Sequence, residues 1–130
     1  MPKILLVDDD ETIRDTLYEL LSADYVCQTA ETAEKAFARL EADQYDVVLT
    51  DISMPGLDGV TVTRRLLEGR PDLAILVLTM HEDDEHVFAA LRAGARGYLV
   101  KGADGEEIVR AVCSVAAGEA VYGGSVAHRI

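Results

Sequence analysis

The sequence is poor in cysteine and has no long apolar run. Its two cysteines, Cys27 and Cys113, lie in different apolar segments and lack the spacing of a CxxC or Cys/His metal motif. We therefore expect both to be reduced core residues without a metal or redox role. No apolar run approaches the ~18 residues of a membrane span, and the apolar start at residues 4–7 meets acidic residues too soon for a signal peptide. These absences predict a cytoplasmic protein that does not bind membranes.

Basic residues are also scarce, because 12 Lys and Arg stand against 24 Asp and Glu, which gives a net charge of −12. A phosphate backbone would be repelled, so we exclude direct nucleic-acid binding by this chain. Most of the acidic excess is typical of a solvated surface, and only the placement of particular acids is informative. With 130 residues, 49% of them hydrophobic, the chain is long enough for one domain with a real core and too short for a separate catalytic domain.

Five short apolar runs alternate with longer amphipathic stretches. Apolar residues in these stretches recur at helical spacing, which predicts a helix after each strand, although residues 60–67 are less regular than the others. The runs are continuously apolar, as expected when helices cover both faces of a parallel sheet. The predicted fold is therefore α/β, a (βα)5 doubly wound five-stranded parallel sheet in a three-layer sandwich. The five predicted strands are residues 4–7, 25–27, 47–49, 74–78 and 98–100.

Capping residues and glycines mark the ends of the predicted helices. Thr32, Asp58 and Asp104 precede apolar periodic segments and are suited to cap them, the last with an acid three residues later. Gly94 and Gly118 follow helical segments, where a left-handed residue ends a helix at little cost. These signals complete the fifth βα unit at about Gly118.

Polar residues follow four of the five predicted strands. Asp8 and Asp9 come directly after the first strand, Asp51 follows the third, Thr79 the fourth and Lys101 the fifth. The carboxyl ends of parallel strands lie along one edge of the sheet, which is where ligands bind in open α/β folds. We call this the carboxyl edge, and we expect these five residues to converge there.

Three carboxylates at one place repel each other, so either their pKa values rise or a cation joins them. Oxygen ligands favour Mg²⁺, Ca²⁺ or Mn²⁺, and Mg²⁺ usually combines one or two carboxylates with waters and a phosphate oxygen. A phosphoryl group is then implied, whose oxygens Thr79 and Lys101 are suited to hold. Asp51, alone at the end of its strand, is the candidate nucleophile, and its attack on phosphorus gives an acyl phosphate.

Each of these residues also has an ordinary structural role open to it. The acids after the first strand are suited to cap the next helix, and we expect Asp10 to do so. Asp51 taken alone is an ordinary acid ahead of the turn at Pro55-Gly56. Thr79 and Lys101 are each common in such positions, so the functional interpretation depends on all four strand ends together.

These residues resemble the receiver domain of bacterial two-component response regulators, and the likeness covers essentially the whole chain. It consists of the Asp8-Asp9 pair, Asp51 followed by Met54-Pro55 and Asp58-Gly59, Thr79, and Tyr98 with Lys101. The resemblance implies a flavodoxin-like sandwich with strand order 2-1-3-4-5. It also implies a signalling domain rather than an enzyme, one that assists its own phosphotransfer and autodephosphorylation.

The resemblance assigns roles to the acids. Asp51 would be the phosphoacceptor, and it would ligate Mg²⁺ directly together with Asp9. Asp8 would reach the metal mainly through water, and the backbone carbonyl of Ser53 would supply a further ligand. A sensor histidine kinase would be the phosphoryl donor, and a homodimer would form on phosphorylation.

It also assigns roles around the phosphoryl group. Thr79 and Lys101 would hold its oxygens, and Thr79 with Tyr98 would form a switch in which Tyr98 turns inward on phosphorylation. Ser53 and His81 would flank the path of the hydrolytic water and tune autodephosphorylation.

Gly102, where the broad family usually has a cis proline after the lysine, makes the chain similar to the NarL/FixJ (LuxR-type) branch. Members of that branch commonly carry a helix-turn-helix output domain. We therefore expect residues 1–118 to be the receiver and residues 119–130 to begin a linker toward an output domain absent from this chain, through which DNA would be bound.

Other classes remain alternatives. A stand-alone single-domain receiver lacks the output, and a phosphorylation-independent interaction module keeps the fold without the chemistry. A haloacid-dehalogenase-type phosphatase would need an acid where Ser53 stands. A flavodoxin-like FMN carrier would need a phosphate-binding loop where the Asp8-Asp9 pair would repel phosphate.

Overall fold

The computed structural model is built on one parallel sheet, and it describes residues 2–51, 53–54, 57–70, 73–79, 91–100, 104–119 and 121–122. The strands are β1 (Lys3–Val7), β2 (Val26–Ala30), β3 (Val47–Asp51), β4 (Ala74–Thr79), β5 (Gly97–Val100) and β6 (Val121–Tyr122). Their order across the sheet is β2-β1-β3-β4-β5-β6, and every neighbouring pair is parallel. The predicted five-stranded sheet of order 2-1-3-4-5 is confirmed, and β6 extends it by one short strand.

The helices cover both faces of this sheet. They are α1 (Glu11–Leu21), α2 (Ala33–Ala42), α3 (Gly59–Gly69) and α4 (Gly105–Ala116), and residues 91–93 are also helical. Residues 80–90, which hold most of the remaining predicted helix, lie outside the described residues. Residues 53–54 pair antiparallel with residues 57–58. No helix in the described part of the chain is long and apolar enough to cross a membrane.

The core consists of two clusters, one on each face of the sheet. Alternate residues of β1 point to opposite faces, so that Leu5 belongs to one cluster and Leu6 to the other. One cluster joins the sheet to α2 and α3, and the other joins it to α1 and α4. The predicted three-layer sandwich is confirmed, and burial on both faces explains why the strands are continuously apolar.

The predicted N-caps agree with the structure where their side chains are described. Thr32 Oγ1 accepts a hydrogen bond from the backbone N–H of Lys35 at 3.1 Å. Asp104 Oδ1 accepts one from the N–H of Glu107 at 2.9 Å. These bonds satisfy amides that have no partner within the helix. The side chain of Asp58 lies outside the described set.

Both predicted helix-ending glycines have the left-handed backbone. The φ angle is 119° at Gly94 and 94° at Gly118. At Gly94 a Cβ would also clash with the end of the Leu67 side chain, which would have to move. The two positions require glycine for the reason that the sequence suggested.

The expectation that both cysteines are core residues is wrong for Cys113. Both thiols are free, but only Cys27 is buried, whereas Cys113 is exposed on α4. The buried side chains of α4 recur three and four residues apart, which puts them on the face that packs against the sheet. Position 113 is not in that series. The buried residues of the series are Ile108, Ala111, Val112 and Val115.

Residues 121–122, which the sequence analysis placed in a linker, form β6. Val121 pairs with Gly97 and Tyr122 with Tyr98. The backbone of β5 therefore has a hydrogen-bonding neighbour on its outer side, which shields part of the sheet edge.

Candidate functional site at the carboxyl edge

The strand register brings the predicted polar positions to one edge. Asp8 follows the last residue of β1, Asp51 ends β3 and Thr79 ends β4. Because β3 lies between β1 and β4, the backbone of Asp51 stands between the other two positions. The register pairs Val7 with Thr50, Asp51 with Leu78, and Thr79 with Val100.

Asp8 is a buried acid held by backbone hydrogen bonds. Asp8 is only 1% exposed, and its Oδ1 accepts a hydrogen bond from the N–H of Asp10 at 2.9 Å. Its own N–H donates to the carbonyl oxygen of Ala30 at 3.2 Å. Asp9, the next residue, is exposed. The pair thus presents one fixed and one solvent-facing carboxylate at the end of β1.

Asp10 has the structural role expected from the sequence. Its Oδ1 accepts hydrogen bonds from the N–H groups of Thr12 at 2.9 Å and Ile13 at 3.3 Å. Asp10 is therefore the N-cap of α1. Its carboxylate serves the helix, which leaves Asp8 and Asp9 for the site.

Arg14, on α1, bonds the backbone of the loop that follows β1. Its Nη1 donates to the backbone carbonyl oxygen of Asp8 at 2.8 Å, from a side chain that is partly buried. Its charge also reaches the connection between β2 and α2. Hydrogen bonding to Lys35, the charge of Lys35 and, more weakly, the charge of Arg14 hold the pKa of the exposed Glu31 carboxyl below its usual value.

Neither Arg14 nor Thr50 was predicted from the sequence to belong to the site. Arg14 is a basic residue one turn into the helix that follows the acids, and this spacing was a usable signal in so acidic a chain. Thr50 is a fully buried hydroxyl within β3, directly before Asp51. A polar residue at the end of an otherwise apolar strand indicates a local hydrogen bond, because burying a hydroxyl without a partner is costly.

The structure describes the other predicted residues to different extents. The backbones of Asp51, Ser53 and Thr79 are described and their side chains are not. Lys101 and His81 lie outside the described residues. Tyr98 is described in full. It is 1% exposed and packs in the core cluster on the face of α2 and α3.

The donor chemistry at this edge suits a hard divalent cation. Asp8 and Asp9 offer carboxylate oxygens beside the end of β3, and the set contains no sulfur or imidazole donor, as Mg²⁺ requires. Among the side chains that the structure describes, no group of three or more His, Cys, Asp or Glu is placed to hold a metal ion. The predicted metal site needs the carboxylate of Asp51, whose side chain is not among those described.

Comparison with known proteins gives the family. Residues 4–113 match the response regulator receiver domain family. The chain is a response regulator receiver domain. Receiver domains are signalling phosphoacceptor domains that interact with histidine kinases and generally bind Mg²⁺ at their acidic phosphorylation site. The resemblance stated from the sequence is confirmed, and membership in this family sets aside the phosphatase and flavin-carrier alternatives.

Relatives of this receiver domain include LuxR-family regulators, as the sequence suggested. The DNA-binding transcriptional activator DevR/DosR of Mycobacterium tuberculosis is 41% identical over 124 residues, which are 93% of this chain and 57% of that protein. The chain spans 56% to 62% of the length of the first three curated relatives that it matches.

Solved structures give the same result. The two-component response regulator of the LuxR family from Aurantimonas sp. SI85-9A1 superposes with a TM-score of 0.89 at 28% identity, covering 99% of this chain and 94% of that one. The signal receiver domain of the putative response regulator NarL from Mycobacterium tuberculosis gives 0.84 at 30% identity, covering 91% and 98%. The fold and the branch are thus shared with receiver domains of this kind.

Proposed function

We propose that this receiver domain accepts a phosphoryl group on Asp51 from the phosphohistidine of a sensor kinase, in a reaction that depends on Mg²⁺. The observation that carries the proposal is the buried Asp8 carboxylate at the end of β1, directly beside the end of β3 where Asp51 stands. Burying an acid next to other acids is unfavourable unless a cation joins them. A buried carboxylate beside the end of β3 supports a site in which a divalent cation would join Asp8 and Asp51.

In the proposed reaction, a carboxylate oxygen of Asp51 attacks phosphorus. A P–O bond forms, the P–N bond to the kinase histidine breaks, and the ring nitrogen leaves with the electron pair. Asp9, Asp51 and the Ser53 carbonyl would hold Mg²⁺ directly, and Asp8 would hold it through water. When bound, the ion offsets the negative charge of the acids and of the incoming group.

Two further residues are proposed to hold the phosphoryl oxygens. The Thr79 hydroxyl would donate a hydrogen bond and the Lys101 ammonium would supply charge. Movement of Thr79 toward the phosphoryl group would favour the inward position of Tyr98. The burial of Tyr98 in the core supports that position as a stable one. The switch is a change in packing biased by one hydrogen bond and one charge.

The lifetime of the acyl phosphate is proposed to depend on Ser53 and His81. Both would flank the approach of the hydrolytic water, so Ser53→Ala and His81→Ala should change the rate of dephosphorylation without preventing phosphorylation. The decay of phosphorylated protein in Mg²⁺ buffer measures this. Unchanged decay in both variants would show that the two residues have no such role.

We also propose that the phosphorylated receiver, in the cytoplasm, controls transcription through an output domain and forms a homodimer. The greater length of the relatives and the description of DevR/DosR as DNA-binding support an output of this kind. Residues 1–118 would be the receiver and residues 119–130 the start of the linker, with β6 as its attached first part. At a net charge of −12 this chain alone should not bind DNA.

A stand-alone receiver and a phosphorylation-independent interaction module are the alternatives. A native gene that stops directly after Ile130 would favour the first. Absence of phosphotransfer to Asp51 would favour the second.

The test is phosphorylation by acetyl phosphate and Mg²⁺, followed by intact mass under conditions that preserve acyl phosphates. We expect one phosphoryl group on the wild type, none after EDTA and none on Asp51→Asn. The matched control is Asp10→Asn, which removes an acid from the same edge while keeping an N-cap side chain, and which should still be labelled. Equal labelling of Asp51→Asn at the same site would contradict the proposal.

A further inference from the structure

We infer that Arg14 is a positioning residue, which fixes the backbone of the loop at residues 8–10 in the conformation that binds Mg²⁺. The inference rests on the proposed function, since it assumes a metal at the carboxyl edge. Arg14 itself would touch neither the metal nor the phosphoryl group. It acts through the carbonyl group of Asp8.

A closed set of hydrogen bonds surrounds the loop. Arg14 Nη1 donates to the Asp8 carbonyl oxygen at 2.8 Å, and the N–H of Arg14 donates to the Asp10 carbonyl oxygen at 3.0 Å. Asp10 in turn donates its N–H to Asp8 Oδ1 at 2.9 Å. The peptide between the two site acids is thus tied to the first turn of α1 through its oxygen.

Helix α1 gives Arg14 a fixed base. The helix is anchored in the core by Leu17 and Leu21, which are 5% and 0% exposed. A hydrogen bond from a charged donor is roughly twice as strong as a neutral one, and the guanidinium is planar and always charged. Arg14 therefore ties the loop to the helix, in addition to the bond from the Asp8 N–H to the Ala30 carbonyl oxygen that ties it to β2.

The positioning effect of Arg14 is distinct from the effect of its charge. A cation beside the metal site repels Mg²⁺, so an arginine that acted only by its charge would weaken metal binding. Part of that charge acts on Glu31, which lies between β2 and α2. An arginine next to a metal site favours Mg²⁺ binding only if the loop geometry that it imposes outweighs the repulsion between the two cations.

The experiment is Mg²⁺ titration, without phosphodonor, of the wild type, Arg14→Gln, Arg14→Lys and the control Arg110→Gln. Arg110 is an exposed arginine on α4, so this control removes the same charge from a different helix. Calorimetry or amide chemical shifts report binding, because the chain has no tryptophan. We expect affinity to fall about 10-fold in Arg14→Gln, the size usual for groups that orient a metal ligand, and to stay unchanged in Arg110→Gln.

Arg14→Lys keeps the charge and loses the planar fork, so we expect weaker binding than in the wild type. In the metal-free protein, hydrogen exchange at the Asp10 amide should be faster in both Arg14 variants, which reports loop order independently of Mg²⁺. Unchanged or tighter Mg²⁺ binding in Arg14→Gln would overturn the inference. If Arg14→Gln does not fold, wild-type affinity in Arg14→Lys overturns it.

Failure of the proposed function is distinguishable from failure of this inference. A wild type that neither binds Mg²⁺ nor labels on Asp51 contradicts the proposed function, and the inference with it. A wild type that does both, with Arg14 variants of equal Mg²⁺ affinity, contradicts only the role of Arg14.

Discussion

The two ends of the sheet use acidic residues in opposite ways. We call the amino end of the sheet the amino edge and define it by Lys3, Asp43, Tyr45 and Asp46. Carboxylates at this edge accept a hydrogen bond from, or form an ion pair with, groups of the chain itself. The Lys3 ammonium pairs with the Asp43 carboxylate and lies 4.9 Å from the centre of the Tyr45 ring. The N–H of Lys3 donates to Asp46 Oδ2 at 2.8 Å. Lys3, Asp43 and Asp46 are exposed or partly exposed, Tyr45 is buried, and together they stabilise the start of β1.

At the carboxyl edge a nearby arginine bonds the main chain. Arg14 contacts the carbonyl oxygen of Asp8, while the Asp8 carboxylate accepts from a backbone N–H. This acid is 1% exposed, whereas Asp43 keeps 48% of its side-chain surface in solvent. Acids at the amino edge are therefore bonded within the fold while still in contact with solvent, whereas the carboxyl edge holds a buried acid where Mg²⁺ binding is proposed.

The largest expected contrast is in metal affinity. Asp9→Asn and Asp51→Asn each remove a proposed Mg²⁺ ligand and should weaken binding by at least 10-fold, because ligand charge dominates the affinity for hard cations. Asp43→Asn, at the amino edge, should leave the affinity unchanged. Calorimetric titration measures all three. Equal losses at the two edges would mean that Mg²⁺ responds only to net charge.

The same contrast should appear in metal-free stability. Asp8→Asn weakens the charge-assisted hydrogen bonding of a buried carboxylate, so we expect the free energy of unfolding to fall by about 2 kcal/mol. Asp43→Asn breaks an exposed ion pair and should lower it by less than ~1 kcal/mol. Urea unfolding in EDTA measures both changes. Equal losses in the two variants would show that burial does not distinguish the two acids.

A phosphoryl mimic should perturb one edge and not the other. With Mg²⁺ and beryllofluoride, we expect amide shifts at Asp51, Thr79 and Tyr98, and none at Asp43 and Asp46. Two-dimensional NMR of labelled protein is the measurement. If residues 81–101 stay unchanged while the acids respond, the proposed switch through Thr79 and Tyr98 is wrong.

The smallest expected effect is an alkaline one at the amino edge. Burial raises the pKa of Tyr45, an effect that the nearby Arg39 partly opposes. The pKa of Tyr45 is higher in the folded state than in the unfolded state. Its contribution to the free energy of unfolding is therefore fully present below the ordinary tyrosine pKa and is lost as pH rises through the folded-state pKa. Tyr45→Phe should therefore lose less stability than the wild type between pH 8 and 11. Identical losses by urea unfolding would indicate that other groups dominate.

Much of the architecture and the position of the site followed from local pattern. Continuous apolar strands indicated burial on both faces, and acids directly after Val7 and Leu49-Thr50 indicated the edge where a ligand binds. Helix ends were predictable at Asp104 and Gly94 because capping depends on groups within a few residues. The strand order came from the resemblance to a family, since periodicity within a strand does not specify its neighbours.

The sequence by itself determined the alternation of strands and helices and the placement of the acids, because both depend on contacts between residues close in the chain. Only the tertiary structure decided which carbonyl Arg14 bonds, that Cys113 faces solvent while Cys27 is buried, and that residues 121–122 join the sheet. Each of these depends on how one element approaches another across the fold. Such approaches are set by the packing of the whole core, which no short window of sequence contains.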